Sequence, residues 1–223
     1  MSNKGRFIVV EGLEGAGKST ALEVIKHVLN SHVPELIITR EPGGTRVGEV
    51  ARQLIKETVQ EEPLDPRAEL LLFYAARVQL IERVIRPALN RGAWILADRF
   101  ELSTLAYQGG GRKLSASMIQ QLSAFCLTDM QPDLIIFMDI SPEQGMQRVM
   151  TRGRTDRIEQ ESMVFFNRVY DSYHQHIKTM TNVVIIDARQ SLINVQNDLR
   201  IAIEQYLTRI STPSSYENDS ICK

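Results

Sequence analysis

An apolar run at residues 7–10 leads straight into Gly12-Leu13-Glu14-Gly15-Ala16-Gly17-Lys18-Ser19, a full match to the phosphate-binding pattern G-x-x-x-x-G-K-[ST]. This stretch constrains the fold more than any other, because the pattern works only between a buried strand and the first turn of a helix. The glycines let the main chain wrap a polyphosphate closely, with N–H groups such as that of Ala16 turned inward. Lys18 is then able to reach the β and γ phosphates and the Ser19 hydroxyl to ligate Mg²⁺, with Thr20 next in line. The pattern predicts a helix over residues 18–32 whose positive end faces the same anion.

A chain of 223 residues, 43% hydrophobic and without a shift in composition, predicts a single domain over residues 1–210. The polar stretch STPSSYENDSICK at 211–223 lacks periodicity and is expected to be a disordered tail. A formal charge of -1 argues against a generally basic surface, so no nucleic-acid partner is expected and the phosphate-bearing partner should be small. Cys126 and Cys222 have no metal-ligand spacing and fit a reducing compartment. The opening MSNKGR and the short apolar run after it suit neither a signal peptide nor a membrane span, which predicts a cytoplasmic protein with no membrane partner.

Further along, residues 36–39 read as a second buried strand ending in Arg40-Glu41-Pro42-Gly43-Gly44-Thr45. Open parallel sheets place ligands at such strand ends, so Arg40 is either a phosphate clamp or a loop cap, and the bond before Pro42 is a candidate for cis. Residues 44–59 look helical, and 67–90 form a long helical pattern with Phe73, Arg77 and Leu80 on one face. That face suits either a nucleobase, with the ring stacked and the guanidinium at its polar edge, or the core. A third strand at 93–97 ends in Asp98-Arg99, where Asp98 either holds Mg²⁺ through water or caps the next helix.

A helix over 100–108, stopped by Gly109-Gly110-Gly111, puts Ser103, Thr104, Tyr107 and Gln108 on one polar face, which reads a base and sugar or is simply solvated. A helix over 115–127 and a fourth strand at 133–139 follow, then a helix from Pro142 that carries Arg148. Arg152-Gly153-Arg154-Thr155-Asp156-Arg157 has three arginines in six residues. It is either a solvated turn or the cationic lid that phosphoryl transfer needs to exclude water and neutralise charge. A helix over 163–179, a fifth strand at 183–186, a loop with Arg189 near the nucleotide, and a last helix capped by Ser191 complete the chain.

Strands alternating with helices predict an α/β architecture, the P-loop NTPase fold: a five-stranded parallel sheet flanked by helices on both faces, with a helical lid region at about 149–160. Two functions fit: a kinase acting on a small acceptor, or a P-loop ATPase or switch that signals through a partner. The Asp-x-x-Gly and Asn-Lys-x-Asp patterns of common GTPase switches occur nowhere in the sequence, which favours the kinase.

The motifs EGLEGAGKST at 11–20, TREPGGT at 39–45, LLFYAARVQ at 71–79, DRFELSTLAYQGGGR at 98–112 and RGRTDRIEQE at 152–161 together resemble the bacterial thymidylate kinases, in the P-loop nucleoside monophosphate kinase family. The resemblance implies ATP + dTMP → ADP + dTDP with Mg²⁺ as cofactor and ATP as co-substrate. It implies that Phe73 stacks on thymine, Arg77 meets its O4 edge, and Ser103, Thr104 and Gln108 surround the base. Tyr107 would pack where a ribose 2′-hydroxyl would sit, and Arg40, Pro42 and Arg99 would lie on the acceptor side. Glu14 would stand near the sugar 3′-hydroxyl and the metal, with Asp98 organising the metal's water. An uncharged residue at Gly15 goes, in this family, with a catalytic arginine taken from the lid. Arg152 matches it, Arg157 is a second candidate, Arg148 would pack on adenine, and Arg154 receives no duty. Phe100 departs from the tyrosine or histidine common at its position, which implies altered packing there. A homodimer, packed through helices near the third strand and the long helix, is implied as well.

Overall fold

The structure is a computed structural model that describes residues 5–153 and 155–211. In chain order these form β1 (Phe7–Gly12), α1 (Lys18–Leu29), β2 (Leu36–Arg40), α2 (Arg46–Lys56) and α3 (Pro66–Leu80). A π-helical turn, Ile81–Ile85, joins α3 to α4 (Arg86–Asn90), and β3 (Trp94–Asp98) and α5 (Glu101–Thr104) follow. After a second π-helical stretch, Leu105–Gly111, come α6 (Ala116–Leu127), β4 (Leu134–Asp139), α7 (Pro142–Met150), α8 (Met163–Ile177), β5 (Val183–Asp187) and α9 (Leu192–Ser211). The expected tail falls almost wholly outside the described residues, as do Cys222 and Arg154.

All five strands run parallel in the order β2-β3-β1-β4-β5, so the chain reverses direction across the sheet on either side of β1. Successive β1 side chains point to opposite faces. Ile8 and Val10 join the layer that contains Ile25, Phe166 and Ile203, whereas Phe7 and Val9 join Leu70, Ile85 and Ile119 on the other side. Both faces of the strand are therefore covered, which explains an uninterrupted apolar run in place of alternation.

Three segments depart from the sequence expectation. The helix expected over 67–90 is continuous but changes to π geometry, with the Arg86 N–H reaching back to Ile81 O. Pro87 lies just beyond and has no N–H of its own, so the wider turn relieves its ring against the preceding carbonyl. The glycine triplet does not stop its helix; the π-helical stretch runs through Gly111. A Cβ on Gly110 would lie 2.5 Å from Ser172 Cβ, and one on Gly111 would lie 2.5 Å from the Phe165 ring, so these glycines admit α8 at close range. Finally, the lid between α7 and α8 is built of turns where a helical region was expected. Gly153 takes φ 75°, and the Asp156 side chain accepts from the backbone N–H groups of Ile158 and Glu159 at 3.0 Å each.

Candidate active site

The carboxyl ends of the strands face a cavity of about 430 Å³ bounded by the phosphate loop, α3, the residues after β3 and the lid. α1 begins at Gly17 in the left-handed conformation, with no side-chain cap and no acidic residue in the first turn. Its leading N–H groups are thus left for an anion. Gly15, at φ 73°, packs so tightly on α7 that a Cβ would lie 2.1 Å from Gly145 O. No side chain fits there, so this loop cannot supply a cation of its own from that position. Lys18 Nζ donates to Gly12 O at 3.1 Å and Leu13 O at 2.9 Å. Burial lowers its pKa to about 8, the Arg99 charge adds to the effect, and Glu14, Asp98 and Glu11 oppose it.

Register across the sheet sets Val10, Arg40 and Asp98 at one level. Asp98 and Ser19 both line the cavity, and Asp98 Oδ1 is buried with no hydrogen-bond partner among the described residues. An orphaned carboxylate oxygen in the cavity that a loop serine also lines fits a hydrated divalent cation.

Arg99, at φ 69°, is the hub of a hydrogen-bond network at the cavity wall. It donates to Glu14 Oε1 at 2.8 Å, Ser103 Oγ at 3.0 Å, Tyr173 OH at 3.2 Å and Tyr107 OH at 3.3 Å. Glu11 underlies it, fully buried, accepting from Phe100 N at 2.8 Å, Ser103 Oγ at 2.6 Å and Tyr173 OH at 3.0 Å. Arg77 is 1% exposed and binds Glu41 and Glu101 at 2.5 Å each, Thr104 Oγ1 at 2.9 Å and Phe100 O at 3.3 Å. One guanidinium serves two carboxylates, so burial and the second acid push the Glu41 carboxyl up to about 7. Phe100 lies in the core, edge-on to Phe7 at 4.9 Å, with the Arg77 guanidinium 5.3 Å from its ring. Phe100 thus forms an aromatic wall against Arg77.

Of the expected site residues, Glu14, Gly15, Gly17, Lys18, Ser19, Pro42, Phe73, Arg77, Asp98, Arg99, Ser103, Tyr107, Gln108, Arg148 and Arg152 line this one cavity. The Glu41-Pro42 peptide bond is cis. Arg148 also donates to Gly15 O at 3.3 Å and Ala188 O at 3.0 Å, and Arg152 pairs with Glu159 at 2.6 Å. Gly12, Ala16 and Thr20 belong to the loop and helix start but not to the lining. Arg40 turns out to Glu49 at 2.9 Å, Arg189 to Asp187 at 2.7 Å, and Thr104 lies beneath Arg77. Arg157 leaves the cavity for Glu69 and Ile55 O.

Sequence reasoning missed Arg52, Glu41, Glu11 and Tyr173. Arg52 lines the cavity and donates to Pro42 O at 3.1 Å. A signal was available: with Gly48 and Ile55, both buried, Arg52 shares the inward face of α2. Glu11 and Tyr173 lie 162 residues apart, and nothing local marks their pairing.

A phosphate loop, an orphaned acid, arginines and an arginine-bearing lid around one cavity define a P-loop kinase. Comparison with known proteins narrows the class. The family model for thymidylate kinase matches residues 10–199, and the chain belongs to that family. A thymidylate kinase of Legionella pneumophila (strain Paris) is 54% identical over 203 residues, spanning 91% of this chain and 96% of its own. One of Shewanella frigidimarina (strain NCIMB 400) is 45% identical over 208 residues, spanning 93% and 96%.

Proposed function

We propose that this chain transfers the γ-phosphoryl group of ATP to dTMP, giving dTDP and ADP. The observation that carries the proposal is that the phosphate loop, Arg99, Phe73, Arg77 and Gln108 line one and the same cavity. In this reading Lys18 and the free N–H groups of α1 hold the ATP phosphates, with Arg148 beside the nucleotide. Phe73 stacks on thymine, and Arg77 and Gln108 read its edges. Tyr107 and Ser103 bound the sugar and base, and Arg99, with Arg52, holds the acceptor phosphate. That phosphate is already an anion, so no protein base is required; positioning and charge neutralisation supply the acceleration. Arg152 leaves Glu159 to meet charge developing on the transferred group.

Ser19 and Asp98 are the residues that would hold Mg²⁺. When bound, the cation neutralises phosphate charge as the bond to the leaving group breaks. No cluster of three or more His, Cys, Asp or Glu side chains suited to a metal occurs among the described residues.

A homodimer belongs to this reading. Leu71 on α3 is 56% exposed and Phe125 on α6 is 81% exposed, on neighbouring helices, and light scattering tests the assembly. A cytoplasmic location is part of the proposal too; no helix among the described residues is long and apolar enough to cross a membrane. The reaction itself is tested by coupled ADP release against a panel of nucleoside monophosphates. Strong preference for dTMP is expected, and equal ADP release with no acceptor would replace the proposal by an ATPase.

A further inference from the structure

Glu69 on α3 has no part in the reading above, yet its side chain is 1% exposed and is met from two separate segments, the π-helical stretch with its capping residue and the lid. It accepts from Gln108 Nε2 at 2.7 Å, from Arg112 Nη2 at 3.1 Å and Nε at 3.3 Å, and from Arg157 Nη2 in the lid. Burial alone would favour the neutral acid, but Arg112, Arg157 and Gln108 outweigh it and hold the carboxyl below its ordinary range. A carboxylate only accepts, so the Gln108 amide must turn its nitrogen to Glu69. Its oxygen is left for a donor such as the N3–H of a pyrimidine base.

The same lid arginine closes a second contact. Arg157 Nε donates to Ile55 O at 2.8 Å and its main-chain N–H to Lys56 O at 3.3 Å, while Lys56 Nζ pairs with Asp156 at 2.7 Å. The last carbonyls of a helix have no partner within it, and here the lid supplies partners to α2. Arg112 extends the chain of contacts by pairing with Glu161, at the far end of the lid.

We propose that Glu69 is a positioning residue that couples occupancy of the acceptor base site to closure of the lid. A base held by Gln108 fixes the amide, the amide fixes Glu69, and Glu69 holds Arg157 and with it the segment that carries Arg152. This rests on the thymidylate kinase reading, because it takes the ligand of Gln108 to be the acceptor base. Binding to the two sites is then linked, and the linkage is reciprocal.

The test is calorimetric titration of the full-length protein with a non-hydrolysable ATP analogue, with and without saturating dTMP, and the converse titration. Wild type should bind the analogue about fivefold or more tighter with dTMP present, and dTMP tighter by the same factor with the analogue present. In Glu69→Gln the ratio should fall below about twofold, near no coupling on that scale, while dTMP still binds. Arg157→Met breaks the same contact from the lid and should lose the ratio likewise, so a misfolded Glu69 variant does not remove the test. A wild-type ratio of one, or a ratio kept in folded variants that merely bind both ligands more weakly, overturns the inference. Wild type that does not bind dTMP at all instead overturns the reading on which it rests.

Discussion

The Tyr107 hydroxyl donates to Glu14 Oε2 at 2.5 Å, tying the π-helical stretch after α5 to the glycine-rich loop after β1. The other oxygen of the same carboxylate takes Arg99 at 2.8 Å, so three residues from three segments are linked through one carboxylate at the wall of the cavity.

Tyr107→Phe keeps the ring, with its edge contacts to Phe165 and Tyr173, and removes only the hydroxyl. A hydrogen bond to a charged group is worth about 1.5–3 kcal/mol, so kcat/KM for dTMP should fall by roughly 10- to 100-fold in steady-state assays. A loss below about twofold, well short of that range, would mean that Glu14 and Arg99 keep their positions without it.

Glu41 makes stability depend on pH. Its carboxyl rises from 4.5 to about 7, chiefly through burial, so the folded state binds the proton more tightly than the unfolded chain. The stability it contributes is therefore complete below pH 4.5 and is lost as pH rises through about 7. Urea unfolding at acidic and mildly alkaline pH should show wild type losing on the order of 2 kcal/mol relative to Glu41→Gln. An unchanged difference between the two proteins would contradict this.

Lys18, lowered to about 8 by burial, should regain its full charge when triphosphate oxygens replace Gly12 O and Leu13 O. Binding of an ATP analogue near that pH should then take up roughly half a proton, measured calorimetrically in buffers of different ionisation enthalpy. Lys18→Arg should abolish the uptake. Absence of uptake by wild type would mean that the lysine is fully charged beforehand.

Much of this site was legible because its signals are local. The phosphate loop declares strand, turn and helix within fourteen residues, from Phe7 to Thr20, and the apolar runs named all five strands. Phe73, Arg77 and Gln108 were also found at helical spacing, and they line the cavity. What stayed hidden depends on partners distant in sequence. Arg40 looked like a phosphate clamp, but Glu49, one turn into α2, holds it outward, while Arg52 takes the inward position. Three glycines in a row read as a helix stop because their local cost is plain; the compensating approach of α8, more than fifty residues later, is not. The second lid arginine, Arg157, is indistinguishable from Arg152 by composition, and only folding sends it to Glu69.

On the proposed function, that division gives the lid chemistry to Arg152. Arg152 lines the cavity, held by one exchangeable partner, Glu159, whereas Arg157 is committed to Glu69 and α2. Arg152→Ala should lower kcat by ~10³ or more, the scale of arginine fingers, in a coupled assay at saturating substrates. A loss below about tenfold, far short of that scale, would move the role to Arg157.

Phosphorus NMR of the wild-type protein with ATP, dTMP and Mg²⁺ follows the transferred group itself. The account predicts that ADP and dTDP appear together in equal amounts, with no inorganic phosphate. Inorganic phosphate accumulating while dTMP stays unchanged would contradict it.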